Sequence, residues 1–138
     1  MIKEDCLFCK IAKGEIHSAT VYEDSHFTVI LDVNPATKGH CLIIPKEHFD
    51  NIYDLDGETA GKLFALATCI ARAMKDALKC DGLNLVQNNG EVAGQTVNHF
   101  HLHLIPRYEG DGLNLNWPQQ EISGEQLEEI RQSINKSI

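Results

Sequence analysis

From His99 to Ile105 the chain alternates imidazoles with bulky apolar side chains, reading His-Phe-His-Leu-His-Leu-Ile. Successive side chains of a strand point to opposite faces, so period-two alternation describes a strand with one face packed and the other presented. The pattern predicts a strand over 99–105, closed by Pro106, with Phe100, Leu102 and Leu104 in a core and three imidazoles opposite them. A half-exposed strand whose polar positions happen to be histidine is the plain alternative to chemistry. With 7 histidines in 138 residues, such a run arises by chance on the order of a few per cent of the time. Same-face neighbours in a strand stand about 6.6 to 6.8 Å apart, which separates His99 from His103 by roughly 13 Å and makes one shared zinc ion awkward. The three imidazoles are therefore expected to divide their duties.

Cys6 and Cys9 form a Cys-x-x-Cys pair, and His48 follows the apolar run that begins at His40. Two thiolates and two imidazoles make a closed tetrahedral zinc site of structural type, with no position left for water. Cys6, Cys9, His48 and one end of the triad satisfy that count. A redox dithiol is the alternative, but it needs a strand-to-helix setting that the extreme N-terminus does not supply. Met1 to Cys6 carry no basic segment followed by an apolar stretch, and the cysteines number five, so reduced thiols and a cytoplasmic location are expected. No run of about 18 apolar residues suggests a membrane span. A net charge of −8 disfavours nucleic acid and leaves room for a small anion held by local donors. Cys41, Cys69 and Cys80 read as small buried hydrophobes, and His17, His26 and His40 as surface or packing residues.

Short apolar, partly β-branched runs at Thr20 to Tyr22, Phe27 to Val33, His40 to Ile44 and Leu83 to Val86 predict further strands. Between them, Leu63, Leu66, Ile70, Met74 and Leu78 recur at helical spacing over 56–79, with Asp54 or Asp56 as cap and Gly82 after the end. A C-terminal helix over about 123–137 is signalled by the capping-box pair Ser123 and Gln126. Ile122 and Leu127 are placed for a hydrophobic staple, and Leu127, Ile130 and Ile134 form a stripe. Strands, one long helix, then strands again is an α+β order with a mainly antiparallel sheet. No linker or repeat divides residues 1–138, so one domain is expected, with its core over 6–106.

Taken together, these segments resemble the histidine triad (HIT) family, whose signature of three histidines alternating with apolar residues is matched at every position of 99–105. Cys6 to Ile11 resembles the family's opening helix, Ile30 to Pro35 its ribose-binding strand, Gly39 to His48 its glycine-to-histidine segment, and Asn88 through Gln95 and Thr96 the loop before the triad. Within the family the chain is similar to small bacterial Hint-like proteins that carry a zinc-binding cysteine pair. The resemblance implies a HIT-like α+β fold: a mainly antiparallel five-stranded sheet, a short N-terminal helix, one long helix and a C-terminal helix. It implies a nucleotide hydrolase or transferase acting at the α-phosphorus of a purine nucleotide conjugate such as a nucleoside phosphoramidate, an aminoacyl adenylate or a dinucleoside polyphosphate. His101 would be the nucleophile of a covalent nucleotidyl-histidine, and His103 would bind phosphate oxygens or the leaving group. His99 would complete a structural zinc site with Cys6, Cys9 and His48, one ion per chain. Asp32 would accept the ribose hydroxyls, Phe8, Ile11 and Ile30 would wall the base, and Asn88, Gly94, Gln95 and Thr96 would lie on the phosphate side. A homodimer is implied as well.

The residues alone leave other readings open. Asp32 precedes Asn34 and Pro35 and can serve a turn, while Phe8, Ile11 and Ile30 can be ordinary core. Leu31 stands where many Hint-like relatives place a histidine, and Trp117-Pro118 resembles a pair near the C-terminus of some relatives. A catalytic zinc bound by His99 and His101, or a nucleotide-sensing module with little turnover, are the competing function classes.

Overall fold

Period-two alternation in the central strands gives the sheet two unlike faces, and each face gathers its own cover. The computed structural model describes residues 3–138. In chain order it contains α1 (Leu7–Ala12), β1 (Thr20–Glu23), β2 (Phe27–Leu31), β3 (Cys41–Pro45), α2 (Gly57–Leu78), β4 (Gly82–Val86), β5 (Leu102–Arg107) and α3 (Gly124–Lys136). The five strands form one antiparallel sheet in the order β1-β2-β3-β5-β4, the five-stranded α+β arrangement that the resemblance implies. Phe27, Val29, Cys41, Ile43, Leu102 and Leu104 pack on one face against Leu63, Ala67, Ile70 and Met74 of α2. Ile30, Leu42 and Ile44, from the alternate positions of β2 and β3, pack on the other with Cys6, Phe8 and Cys9 of the α1 corner.

The long helix starts where its cap predicts, since the Asp56 side chain accepts the Thr59 backbone N–H at 2.9 Å. It ends at Lys79, which takes the left-handed conformation (φ 53°) usually left to glycine. Gly82 therefore does not stop the helix; it opens β4. Asp32 Oδ1 accepts the Asn34 N–H at 2.9 Å, an Asx turn that ends β2 at Leu31 before the predicted Val33.

The histidine strand is displaced from its predicted limits. Ladder pairing begins at Leu102, so His99 and His101 precede β5. Extrapolating the register that pairs Ile43 with Leu102 would put Pro45 opposite Phe100. Proline has no N–H to offer, and the Phe100 N–H turns instead to Phe49 O. The facing survives all the same, because Phe100 remains in the α2-side core. At the other end β5 continues through Pro106, which pairs with Leu83. Its missing N–H faces the side where β3 has already stopped, and there its carbonyl accepts the Thr37 hydroxyl at 2.6 Å.

The C-terminal helix has the predicted capping box between Ser123 and Gln126. Its apolar stripe is uncovered: Leu127, Ile130 and Ile134 are about half exposed, and no residue of α3 is buried. Ile122 and Leu127 stay exposed as well, so the expected staple buries little. Among the described residues no helix is long and apolar enough to cross a membrane.

Candidate active site and metal centre

Two histidine clusters flank the start of β5. The first lies where α1 meets the β3 end. Cys6 caps α1 and its sulfur accepts the Cys9 N–H at 3.3 Å, while the Lys3 N–H points to Cys9 Sγ at 3.4 Å. Cys6 Sγ stands 3.3 Å from His99 Nδ1, and Cys9 Sγ stands 3.3 Å from His48 Nδ1 and 3.4 Å from His99 Nδ1. One ligand atom from each of the four residues lies within 4.8 Å of every other. A tetrahedral zinc ion with bonds near 2.3 Å to sulfur and 2.0 to 2.1 Å to nitrogen sets sulfur–nitrogen separations of about 3.5 Å, so the donor set fits that ion.

The far side of each ring strengthens the fit. His99 Nε2 lies 2.8 Å from the Pro45 carbonyl, and His48 Nε2 lies 2.7 Å from Asp50 Oδ1. Carbonyl and carboxylate oxygens can only accept, so both Nε2 atoms carry hydrogen and both Nδ1 lone pairs face the sulfurs. Asp50 was not among the sequence candidates; its position two residues after His48 was the available signal. His99 is fully buried, and burial pushes its pKa down to about 4.

The second cluster holds His101, His103, His40 and Asp32. His101 Nδ1 lies 2.7 Å from the His99 carbonyl, which must accept, so the proton sits on Nδ1 and Nε2 keeps its lone pair. Burial lowers its pKa and favours the neutral ring. The edge of Phe8 meets the His101 ring at 4.9 Å between centroids, and His101 meets His103 at the same separation. His103 of β5 pairs with Leu42 of β3, and burial pushes its pKa down to about 4.

His40 corrects an expectation. It is neither a surface nor a mere packing residue, since it is buried and its Nε2 stands 2.9 Å from His103 Nδ1 and 3.7 Å from Asp32 Oδ2. Its alternation with Leu42 and Ile44 was the missed signal, because it puts His40 on the sheet face that carries His103. Cys69 is likewise exposed and Cys80 partly so, leaving only Cys41 of that trio as a buried hydrophobe.

Around these rings the other candidates sort themselves by place. Phe8 and Ile30 are buried in the cluster on the histidine face, with Ile11 packed against it. Asp32 is half-buried, with Oδ1 engaged in its turn and Oδ2 toward His40. Gly94 takes φ 97°, and a side chain there would lie 3.6 Å from Asn88 Nδ2, so these two loop residues adjoin. Thr96 is exposed. Gln95 is buried, its amide donating to the carbonyls of Asp50 (2.7 Å) and Val97 (3.0 Å) and accepting the Gly90 N–H (2.8 Å). Its side chain clamps the loop, and both amide hydrogens are engaged by backbone carbonyls.

The chain is similar to known proteins in sequence and fold. The family model described as "HIT domain" matches residues 13–110. The solved structure of a member of the HIT family from Bacillus subtilis superposes with a TM-score of 0.92, at 46% identity over 98% of both chains. A Zn-bound histidine triad family protein from Mycobacterium smegmatis superposes with a TM-score of 0.76, at 39% identity over 97% of this chain and 98% of that one. The chain is also 40% identical, over 94% of its length and 80% of the relative, to adenosine 5'-monophosphoramidase HNT1 of Saccharomyces cerevisiae.

Proposed function

This chain belongs to the HIT family, and from that premise we propose that it is a hydrolase of purine nucleotide conjugates, acting at the α-phosphorus through a covalent nucleotidyl-histidine on His101. The relative named as an adenosine 5'-monophosphoramidase supports a nucleoside phosphoramidate as substrate class. The observation that carries the proposal is the His101 hydrogen bond to the His99 carbonyl, which leaves Nε2 unprotonated in a ring kept neutral by burial.

In the first step the Nε2 lone pair attacks the α-phosphorus, a phosphorus–nitrogen bond forms, and the leaving group departs with the electron pair of its bond to phosphorus, an amine taking up a proton from solvent as it goes. Water then attacks the same phosphorus, the bond to His101 breaks, and the nucleoside monophosphate is released with its extra proton passing to solvent. Dividing one displacement into two replaces a difficult barrier with smaller ones. Asp32 Oδ2 would accept the ribose hydroxyls, Phe8, Ile11 and Ile30 would wall the base, and His103 would donate toward the phosphoryl group. Asn88, Gly94, the backbone of Gln95 and Thr96 would lie along the phosphates, where fixed donors stabilise developing charge.

Cys6, Cys9, His48 and His99 would hold one zinc ion. With all four positions taken by protein, such an ion supplies a cross-link between α1, the turn after β3 and the approach to β5. The proposal includes one domain, a cytoplasmic setting and a homodimer. β4 is a sheet edge, and Leu85 on it and Phe64 of α2 are exposed, which supports a partner copy. Side-by-side turnover of an adenosine phosphoramidate and a diadenosine polyphosphate tests the function. Faster cleavage of the phosphoramidate is expected; nucleotide binding without turnover of either would replace the enzyme with a sensing module.

A further inference from the structure

We propose that Cys6 and Cys9 are a peroxide-sensitive dithiol: oxidation joins the two sulfurs in a disulfide, dismantles the metal site and, through Phe8 between them, disturbs the nucleotide site. The chemistry of the sulfurs stands on their geometry, while the effect on turnover rests on the functional reading above.

The two thiols are close together and unequally placed. Cys6 caps α1, its sulfur accepts the Cys9 N–H at 3.3 Å, and the two sulfurs lie within 4.8 Å of each other. A Cys-x-x-Cys pair that opens a helix is the spacing dithiol–disulfide proteins use, so closing the bond needs no long excursion of the backbone. Cys9 is fully buried. Cys6 is 9% exposed and lines a cavity of about 510 Å³ with His48, Asp50 and Thr96, which gives a small peroxide access to its sulfur. Cys6 is therefore the thiol an oxidant reaches first, and Cys9 is the resolving thiol behind it. Among the described residues no strand leads into the pair, since β1 follows α1, so the dithiol is a target of oxidation and not a catalyst of disulfide exchange.

The Cys6 thiolate attacks the nearer oxygen of the peroxide. A sulfur–oxygen bond forms, the oxygen–oxygen bond breaks, and the departing oxygen keeps its electron pair and takes a proton from solvent. The Cys9 thiolate then attacks the Cys6 sulfur, the sulfur–sulfur bond forms, and hydroxide leaves with the pair of the sulfur–oxygen bond and takes a second proton. Each sulfur has given one electron and the peroxide has taken two, with two waters formed from hydrogen peroxide. Of the four donors only His48 and His99 then remain, so the closed set that fits zinc no longer exists and a bound ion is released.

The change is felt at the nucleotide site because the two sites share residues and a wall. Phe8 stands between the cysteines in the first turn of α1, and its ring edge meets His101 at 4.9 Å and His99 at 6.0 Å between centroids. His99 in turn holds His101 through its carbonyl at 2.7 Å. Drawing the sulfurs together also takes them from the Cys9 and Lys3 N–H groups that point at them, so the first turn has to readjust. Phe8 moves with that turn while His99 loses its sulfur neighbours, and both supports of the His101 ring are loosened together.

Titration of the zinc-loaded full chain with hydrogen peroxide, followed by peptide mapping and a chromogenic chelator, tests the proposal. A Cys6–Cys9 disulfide, two hydrogens lighter than the dithiol, should appear at the same dose that releases the zinc, and a reducing dithiol with added zinc should reverse both. Turnover of an adenosine phosphoramidate should fall about tenfold to a hundredfold in step and return on reduction. Cys69 is exposed and Cys80 partly so, and replacing both (Cys69→Ser with Cys80→Ser) should leave the disulfide yield and the zinc release unchanged. Cys6 and Cys9 still open to alkylation after Cys69 and Cys80 have been oxidised would overturn the proposal. Cys6 driven to a sulfinic acid with no link to Cys9 would overturn it equally, and both observations are made on the parent protein. Disulfide and zinc release with turnover unchanged would overturn the effect on the nucleotide site. A parent protein that forms the disulfide but turns over no substrate before oxidation would break the functional reading and leave the dithiol in place.

Discussion

His99 and His103 differ in what holds each ring. His99 gives Nε2–H to a carbonyl and turns its Nδ1 lone pair toward two sulfurs. The Ala36 N–H points to His40 Nδ1, so His40 donates from Nε2 to His103 Nδ1 and the His103 proton sits on Nε2. One ring is thereby suited to a cation and the other to an anion. The neighbouring His101, with Nδ1–H fixed on a carbonyl, keeps its lone pair on Nε2. Identical side chains on one face of one segment acquire three roles, two of them from partners that lie outside the segment.

The sharpest way to break this division is to remove its members in turn. His101→Ala should lower turnover by about a thousandfold or more, with nucleotide affinity nearly intact, since the lost interaction belongs to the transition state and intermediate. Single-turnover rates beside equilibrium nucleotide binding measure the two effects separately. Cys9→Ala should strip the metal and several kcal/mol of folding free energy, because binding to a site assembled only in the native state is folding energy. Metal analysis and denaturant unfolding check this, and metal-free protein of full stability would remove zinc from the site.

Acid should separate the clusters more gently. Burial brings His103 from its ordinary value of 6.5 down to about 4, so below 6.5 the unfolded chain takes up the proton first. Stability is then full above pH 6.5, falls as pH drops toward 4, and levels off below that, by up to about 3 kcal/mol from this residue. Unfolding curves across that window should be flatter for His103→Gln than for the parent. The smallest effect is expected outside the ligand set: Asp50→Ala, which frees His48 Nε2, should weaken metal affinity about 10- to 100-fold while the four ligands stay in place. Competition with a chelator would detect it.

Local patterns made much of the fold legible. Asp56 and Ser123 cap their helices as read, and the stripe of Leu63, Ile70 and Met74 faces the core. The limits of β5 were not legible, because they depend on Pro45 lying opposite Phe100 and on β3 ending before it reaches Pro106. Those are facts of pairing between distant segments. His40 was hidden for a similar reason, since its partners Ala36 and His103 are brought to it by a turn and by a neighbouring strand. Gln95 shows the converse: its residue type suits a phosphate, but its amide is claimed by Asp50, Val97 and Gly90 once the loop has folded. The stripe on α3 was readable as amphipathic, yet no pattern within one chain says what covers it.

The most direct test of the division of labour is rapid quench of the full chain with a substrate labelled at the α-phosphate. Protein-bound label that is acid-labile and base-stable, as a phosphorus–nitrogen bond requires, should appear during turnover. Peptide mapping should place it on His101, and His103→Ala should retain it. Label on His103, or full turnover with no protein-bound label at any time, would contradict the assignment of His101 as the nucleophile.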